Sequence, residues 1–485
     1  MQKIPSPSRP VRNFGGNVEF TPEHRYAPRS EAEVLEILRI HAGRKIRAIG
    51  RLHSWSAAAA CRDVLVDLRH LNRVTIHRDP HDPSKAWAEV GAGCQIKRLL
   101  YELYRHGFTM PSLGLITEQT IAGAAATGTH GSGRHSISHY VEGVRLANYD
   151  PQTGAPTIRS IDQGDELRAA RCSLGSLGVV TSVKLPIRPC YFVEEHFRPY
   201  ARLADVLAGE ETFDLQQFFL VPWNWNYFAQ HRREVPGPRS LLAPLYRLYW
   251  SVGMDVLFHL AVCTLARRLP ASWTRRFCRS VAPALIPRGW RVADRSDRQL
   301  TMQHQLFRHI EIEIFVARSK LAEAIEFVGR LLRHAGGEAF AESDALRSKL
   351  ESVGLGDRFD ALRGRYTHHY PICIRKVLPD DTLISPATGA EPWYALSFIS
   401  YALPNERGGF FATAEVLARS LARLFGGRPH WGKYCPLEPA ELVRLYPRFE
   451  EFRELVRSRD PEGRFRNEWT DSLFGVVNEL PKNPK

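Results

Sequence analysis

Read for the spacing of its apolar positions, the chain changes texture near residue 189. Before that point, short apolar runs alternate with amphipathic stretches. Ser30-Glu-Ala-Glu33 opens a helical pattern in which Val34, Leu35, Ile37 and Leu38 repeat before Gly43. A hydroxyl followed three residues on by glutamate satisfies the orphan N–H groups of a first turn. Ile46–Ile49 predicts a buried strand that stops at Gly50, and residues 64–68, 71–76 and 87–90 predict three more. Ile96, Leu99, Leu100, Leu103 and Tyr104 mark a second helix, closed by Gly107. Residues 141–148 and 179–186, the latter with Val180, read as strands. The span 11–188 is therefore expected to be one α+β unit of short elements.

From 189 to 429 the pattern predicts longer strands at 215–221, 309–316 and 393–401, with helices at 320–335 and 413–424. Three antiparallel strands with helices on one face fit it. The longest apolar run, WSVGMDVLFHLAVCTLA at 250–266, carries Asp255 and His259. It falls short of the ~20 apolar residues of a spanning helix, so the expectation is a buried helix. The alternative is a membrane-facing segment over 244–298. Nine arginines and two aspartates lie between Arg267 and Arg298, interleaved with Trp273, Phe277, Leu285 and Trp290, a composition that anionic lipid favours. Residues 430–485 form a third, C-terminal segment.

Composition narrows the partners. A chain of 485 residues exceeds one core and implies two or three domains. The net charge of +14 admits nucleic acid, a membrane surface or an anionic ligand. With no RNA-binding motif or basic–aromatic platform, no specific nucleic-acid partner is expected. Eight scattered cysteines without a CxxC pair point to free thiols in a reducing compartment. The N-terminal stretch lacks an apolar segment, so the expected location is cytoplasmic, at the membrane surface if 244–298 faces one.

Two stretches carry candidate chemistry. Residues 114–133 hold five glycines, among them Gly123, Gly128, Gly131 and Gly133, with Thr120, Thr127, Thr129 and Ser132 between them. Close glycines let backbone N–H groups approach an anion, so the stretch is a candidate pyrophosphate cradle; a tight packing turn is the alternative. It is not a Rossmann fingerprint, since no GxGxxG follows a strand. His53 and Ser54 follow the strand Ile46–Ile49 and are placed to converge on the same ligand. His130 is expected to organise backbone. His130, His135 and His139 have no accompanying Cys or carboxylate cluster in metal register, so no metal is expected.

IRAIGRLHSWS at 46–56, TIAGAAATGTHGSG at 120–133, HWGK at 430–433, YPRF at 446–449, DPEGRF at 460–465 and NEW at 467–469 form an ordered set. The set resembles the vanillyl-alcohol-oxidase-type flavoproteins, and within them the sugar-lactone and alditol oxidase group. The likeness runs from about 13 to 475 and is weakest over 200–300. It implies a two-subdomain FAD-binding domain at 11–188, a substrate (cap) domain with an antiparallel sheet flanked by helices at 189–429, and a C-terminal segment, 430–485, returning to the FAD site. It implies that FAD is held by Gly50, Arg51, Leu52, His53, Ser54 and Trp55, by Thr120, Gly123, Thr127, Gly128, Thr129, His130, Gly131, Ser132 and Gly133, and by Val180 and His430. His53 matches the histidine that many relatives bond to the flavin. Relatives often carry glycine where Arg51 or Leu52 stands, which bears on covalency.

The resemblance also implies transfer of hydride from a CH–OH group of a sugar lactone, alditol or related small hydroxylated substrate, with O2 or another acceptor reoxidising the flavin. Lys433 matches a substrate-contacting lysine. Arg375 matches the arginine of a Glu-x-Arg strand motif, with an ion pair to Asp380 or Asp381 as the alternative. Ser400 is a further hydroxyl-contact candidate. Cys373 stands where that motif has glutamate. A neutral thiol orients a substrate poorly, so Cys373 is expected to fill space; a thiolate base, its pKa lowered by Arg375 or Lys433, is the alternative. His368, His369 and His430 then become candidate proton acceptors. The second functional reading is a membrane-associated reductase or dehydrogenase acting on a hydrophobic substrate.

Overall fold

A computed structural model describes residues 3–4, 10–82, 85–302, 306–340 and 343–475. Ile46–Ile49 and Val64–Asp67 pair in parallel, and His24–Tyr26 joins the far side of Val64–Asp67. Both strands of that parallel pair bury almost every side chain, as parallel strands covered on both faces must. The helix Glu31–Ile40 covers this four-stranded sheet with Val34, Ile37 and Leu38. Its Ser30 hydroxyl accepts from Glu33 N, but the returning Glu33 carboxylate takes the N–H of Arg29.

A second, six-stranded sheet runs Pro156–Ile161, Gly143–Tyr149, Val179–Pro189, Ala86–Gly91, Val74–Arg78, with Phe108–Thr109 beside Val179–Pro189. The expected strand at 71–76 starts late, because Leu68–His70 turns as a 3-10 helix before it. Two sheets thus build the N-terminal part, each packed around its own apolar cluster.

The third sheet has eight strands rather than three: Val292–Arg295, Phe192–Tyr200, Tyr227–Val235, Gln217–Leu220, Ile372–Val377, Trp393–Ser400, Ile310–Ala317 and Arg428–Pro429, every neighbour antiparallel. Phe192–Tyr200 and Tyr227–Val235 escape a hydrophobicity reading because their charges point inward. Arg232 donates to Glu195 at 2.5 Å in the interior. One face of the sheet, with Ile312, Ile314, Leu396 and Ile374, packs on the helices Leu321–Ala335 and Gly408–Phe425. The other face is polar and turns toward the N-terminal sheets.

The segment 250–266 is not a buried helix. It belongs to one helix, Ala243–Arg268, 26 residues long, of which only 22% of the most apolar window is buried. By length and composition it could cross a membrane. Its middle, Tyr249–Phe258, is wound as a π-helix.

Residues after 430 return to the first sheet. Ile46 N donates to Arg464 O at 2.7 Å, and Asn467 Nδ2 donates to the carbonyls of Ala57 and Ala60 at 2.9 Å. The buried Arg47 guanidinium holds the carbonyls of Phe465, Leu174, Gly175 and Ala58; burial brings its pKa down to about 10.

Candidate active site

Two cavities meet at one wall. The first is a cleft of ≈ 990 Å³, its open mouth included, between the two N-terminal sheets. Its floor is the loop Gly50–Trp55 that leaves the strand Ile46–Ile49, and its side is the short helix Ile121–Ala126. Small residues are required here: a Cβ on Gly50 would lie 2.1 Å from Thr120 Oγ1. Among the described residues, the N–H groups of Arg51, Leu52, His53 and Ser54 meet no protein acceptor. Unpaired N–H groups in a row, beside Ala122, Gly123, Gly175 and Gly178, make the anion cradle that a pyrophosphate needs. The cleft fits FAD. His53 lines it, stacked on Phe14 with ring centroids 5.0 Å apart. Burial lowers the His53 pKa to about 4, so the imidazole is neutral. The C-terminal segment completes the wall, since Trp55 N and Ser54 Oγ donate to Gly432 O at 2.7 and 3.1 Å.

The second cavity, ≈ 920 Å³ on the same measure, lies against the polar face of the eight-stranded sheet. Trp55, Gln119, His430 and Lys433 line both cavities. Period-two alternation sets the chemistry of the sheet wall. In Ile310–Ala317, Ile312 and Ile314 enter the helical layer while Glu311 and Glu313 face the cavity. Glu311 pairs with Lys433, whose ammonium also lies 4.0 Å from the Trp55 ring centroid. Glu313 accepts from Ser397 Oγ at 2.7 Å and lies 3.6 Å from Arg375 Nη1 and 3.5 Å from His130 Nε2. His130 Nδ1 lies 2.8 Å from Gly131 O and must donate to it.

Burial alone would raise both carboxyls. The Lys433 ammonium, with His309, outweighs it and holds Glu311 down to about 2. His130, Lys433 and His430 likewise hold Glu313 well below the carboxylate range. His430 is pushed to about 3 by burial, against the pull of Glu313. The wall is a compact set of buried ion pairs, the setting in which fixed charges act most strongly on a reacting group.

The rest of the lining is of another kind: Leu115, Ile116, Met302, Leu306, Phe307 and Ile399, with Tyr370 and Tyr401, and Leu306 is exposed at the mouth. Asp255 and His259 reach it from the helix Ala243–Arg268. His259 Nδ1 lies 2.7 Å from Met254 O, and its Nε2 faces the Tyr370 hydroxyl at 3.2 Å.

Several sequence expectations move. Gly50 to Trp55, Thr120, Gly123, Thr127, Val180 and His430 line the cleft. Gly128 to Gly133 do not: Gly128, at φ +76°, turns the chain away against Pro386. Thr129 and His130 then line the substrate-side cavity. Gly131 and Ser132 line a small adjoining pocket, and Gly133 N donates to Lys376 O at 2.8 Å. The second half of the glycine-rich stretch docks the sheet rather than the cofactor. Ser400 is also misplaced, since it shares the helical-layer face of its strand with Phe398 and Leu396; Ser397 and Ile399 are the residues of that strand that face the site.

Cys373 faces the site, but burial pushes its thiol up despite Arg375, and Sγ points at Gln217 Oε1. It is a neutral thiol, and the thiolate alternative fails. Arg375 does not pair with Asp380 or Asp381. Its Nε donates to Gln217 at 3.1 Å, while Asp381 pairs with Arg168 and Arg171. His368 and His369 lie outside both cavities. His369 Nε2 accepts from Tyr401 N at 2.9 Å, and burial brings the pair to about 3 and about 4. His135 and His139 stack on each other, away from His130. His130, Glu313 and His430 bring ligand atoms within 4.8 Å of one another, but His430 Nδ1 already accepts from Gly432 N at 2.9 Å.

Glu311 and Glu313 went unread in the sequence. Their signal was present: IEIEIF alternates apolar and acidic residues, and acids on the inner face of a strand are costly unless paired.

Comparison with known proteins gives a consistent picture. Residues 213–473 match the D-arabinono-1,4-lactone oxidase family, and residues 22–152 match the FAD binding domain. A long-chain alcohol oxidase of an uncultured marine euryarchaeote is 52% identical, covering 97% of this chain and 98% of its own. An L-gulono-1,4-lactone dehydrogenase of Mycobacterium tuberculosis is 26% identical over 96% and 98%. An alditol oxidase of a Streptomyces species is 26% identical over 96% and 99%. A solvent-stable cholesterol oxidase shares the fold, with a TM-score of 0.71 over 98% of this chain and 100% of its own at 16% identity.

Proposed function

Since this chain belongs to the D-arabinono-1,4-lactone oxidase family and carries an FAD-binding domain, we propose that it oxidises the carbinol of an alcohol bearing an apolar chain. It is an FAD-dependent oxidase acting on CH–OH donors. The observation that supports the substrate is the divided lining of the second cavity. Paired charges stand at the wall shared with the FAD cleft, and apolar and aromatic residues make up much of the rest, out to the exposed Leu306. The apolar surface of Leu306 and Phe307 offers a polyol's distal hydroxyls no partner. An alkyl chain gains there. The relative at 52% identity is named a long-chain alcohol oxidase, which agrees with this reading.

Bound FAD supplies a hydride acceptor that O2 regenerates. The protein does the rest. Lys433, at the wall of both cavities, donates to the substrate hydroxyl oxygen and stabilises negative charge as it develops there. Glu311, beside it, accepts the hydroxyl proton. A hydroxyl inserted between the two weakens the lysine's hold on the carboxylate, which raises its basicity at the moment it is needed. Arg375, Glu313, Ser397 and His130 fix the strand wall behind them. The carbinol loses hydride and proton and leaves as the carbonyl compound, with O2 reduced to hydrogen peroxide.

The test is anaerobic reduction of the protein-bound flavin, followed by peroxide release in air. A long-chain primary alcohol should bleach the flavin, with kcat/KM rising with chain length. Bleaching by an aldonolactone or alditol but by no alkyl alcohol would overturn the reading in favour of the sugar-type substrates named for the relatives at about a quarter identity. We also propose His53 as the point of flavin attachment. Colour that stays with acid-precipitated protein and is lost in His53→Ala supports this; colour released to the supernatant from the unaltered protein refutes it.

A further inference from the structure

Of the seventeen large hydrophobic residues that stand exposed among the described residues, eleven lie between Leu241 and Leu285. That is one patch, not scattered surface. Its spine is the helix Ala243–Arg268, where Leu245, Leu248, Val252, Leu257 and Leu260 are exposed. The five-residue step from Val252 to Leu257 would leave a single face on an α-helix. It falls within the π-wound Tyr249–Phe258, where i and i+5 are neighbours, so the stripe continues.

The opposite face of the helix is committed to the body. Tyr246 donates to Glu195 at 2.5 Å, Arg267 Nε donates to Tyr401 O at 2.8 Å, and Phe258, Val262 and Cys263 pack with Tyr401. A helix so held lies along a surface and does not cross a bilayer.

Charge identifies that surface. Between Leu241 and Arg291 there are eight arginines and one acid, Asp255. Arg268, Arg276 and Arg288 are exposed and form no ion pair among the described residues. A second copy of the chain joined through this patch would, by two-fold symmetry, set cation against cation. An anionic bilayer meets both features, apolar side chains in the acyl boundary and arginines at the headgroups. The mouth of the substrate cavity opens beside the patch: Leu306 is exposed and lines the cavity, and Asp255 and His259 of the same helix line it too.

We propose that residues 241–291 seat this enzyme on the surface of an anionic lipid bilayer, and that the alcohol passes from the bilayer into the cavity. The second half rests on the substrate reading above. The test uses flavin-loaded protein and vesicles of phosphatidylcholine with or without phosphatidylglycerol. Flotation should show binding to the anionic vesicles. Arg268→Ala with Arg276→Ala should weaken it about 30-fold, at roughly 1 kcal/mol per arginine. Leu245→Asp with Leu257→Asp should abolish it, while leaving oxidation of a short, water-soluble alcohol unchanged and lowering turnover of a long-chain alcohol dissolved in the vesicles. Failure to float with either vesicle, or an assembly of two copies that Leu245→Asp dissociates in the absence of lipid, would overturn the seat. Flotation with no alcohol of any length reducing the flavin would overturn the substrate reading and the delivery route, and leave the seat standing.

Discussion

The two walls of the site are made in opposite ways. The cleft wall is built from short contiguous stretches: the loop Gly50–Trp55, where the N–H groups of Arg51 to Ser54 meet no protein acceptor among the described residues, and the helix Ile121–Ala126, whose residues are small after Ile121. The sheet wall is built from alternate positions spread over four strands, Gln217, Glu311, Glu313, Arg375 and Ser397, and its value lies in charges that hold one another in place. Contiguous loops can bind the same cofactor whatever the substrate. A wall of separate pleat positions can change its chemistry one residue at a time.

Substitutions separate the walls. The largest effect should come from Lys433→Met: flavin stays bound, and its reduction by alcohol slows about 10³-fold, the worth of a preorganised donor at a developing oxyanion. Unchanged reduction in stopped flow would remove Lys433 from the chemistry. Glu311→Gln should slow reduction by about 10² and change the acid profile of stability. The folded carboxyl lies near 2 against an ordinary value of 4.5. Its contribution is therefore complete above pH 4.5 and lost as pH falls toward 2. Urea midpoints should drop through that window in the unaltered protein and fall less steeply in Glu311→Gln; equal slopes would refute the pairing.

On the other wall, Gly50→Ala drives a methyl into Thr120. It should cost about 1–3 kcal/mol and lower FAD affinity while sparing the arrangement of the sheet charges. Normal flavin content would show that the cleft tolerates what its packing forbids. The smallest effects should come from Cys373→Ala, within a few-fold in kcat, and Ser400→Ala, with none. A loss above about 100-fold at Cys373 would give the thiol a proton-transfer role.

This contrast also explains what could be read from the chain alone. The cleft was legible because its residues are neighbours in sequence: strand, glycine, His53, Ser54, then Thr120 to Thr127. The reading failed at Gly128, where a positive φ redirects the chain and no residue type announces the turn's destination. Lys433 and Arg375 were found through their motifs. Glu311 and Glu313 were not, since their meaning depends on which strand lies opposite, and pairing is non-local. Ser400 was misplaced for the same reason by an odd number of residues. The strands Phe192–Tyr200 and Tyr227–Val235 stayed hidden because Glu195 and Arg232 satisfy each other inside. The exposed helix reads as core in the sequence because hydrophobicity does not say against what a segment will be buried.

The pleated wall has an evolutionary consequence. Positions 217, 311, 313, 373, 375, 397 and 399 all face the substrate side, and all are anchored by backbone pairing that does not depend on their side chains. They behave as sockets in a board. Cys373 occupies a socket where the resemblance implies glutamate, while acids occupy sockets on another strand, so a carboxylate can migrate across the board without moving the scaffold. Descendants of such a wall can exchange substrates by point substitution. A one-residue insertion between Ile310 and Glu311 would instead rotate both acids into the apolar layer at once, and lineages should tolerate it far less than any single exchange.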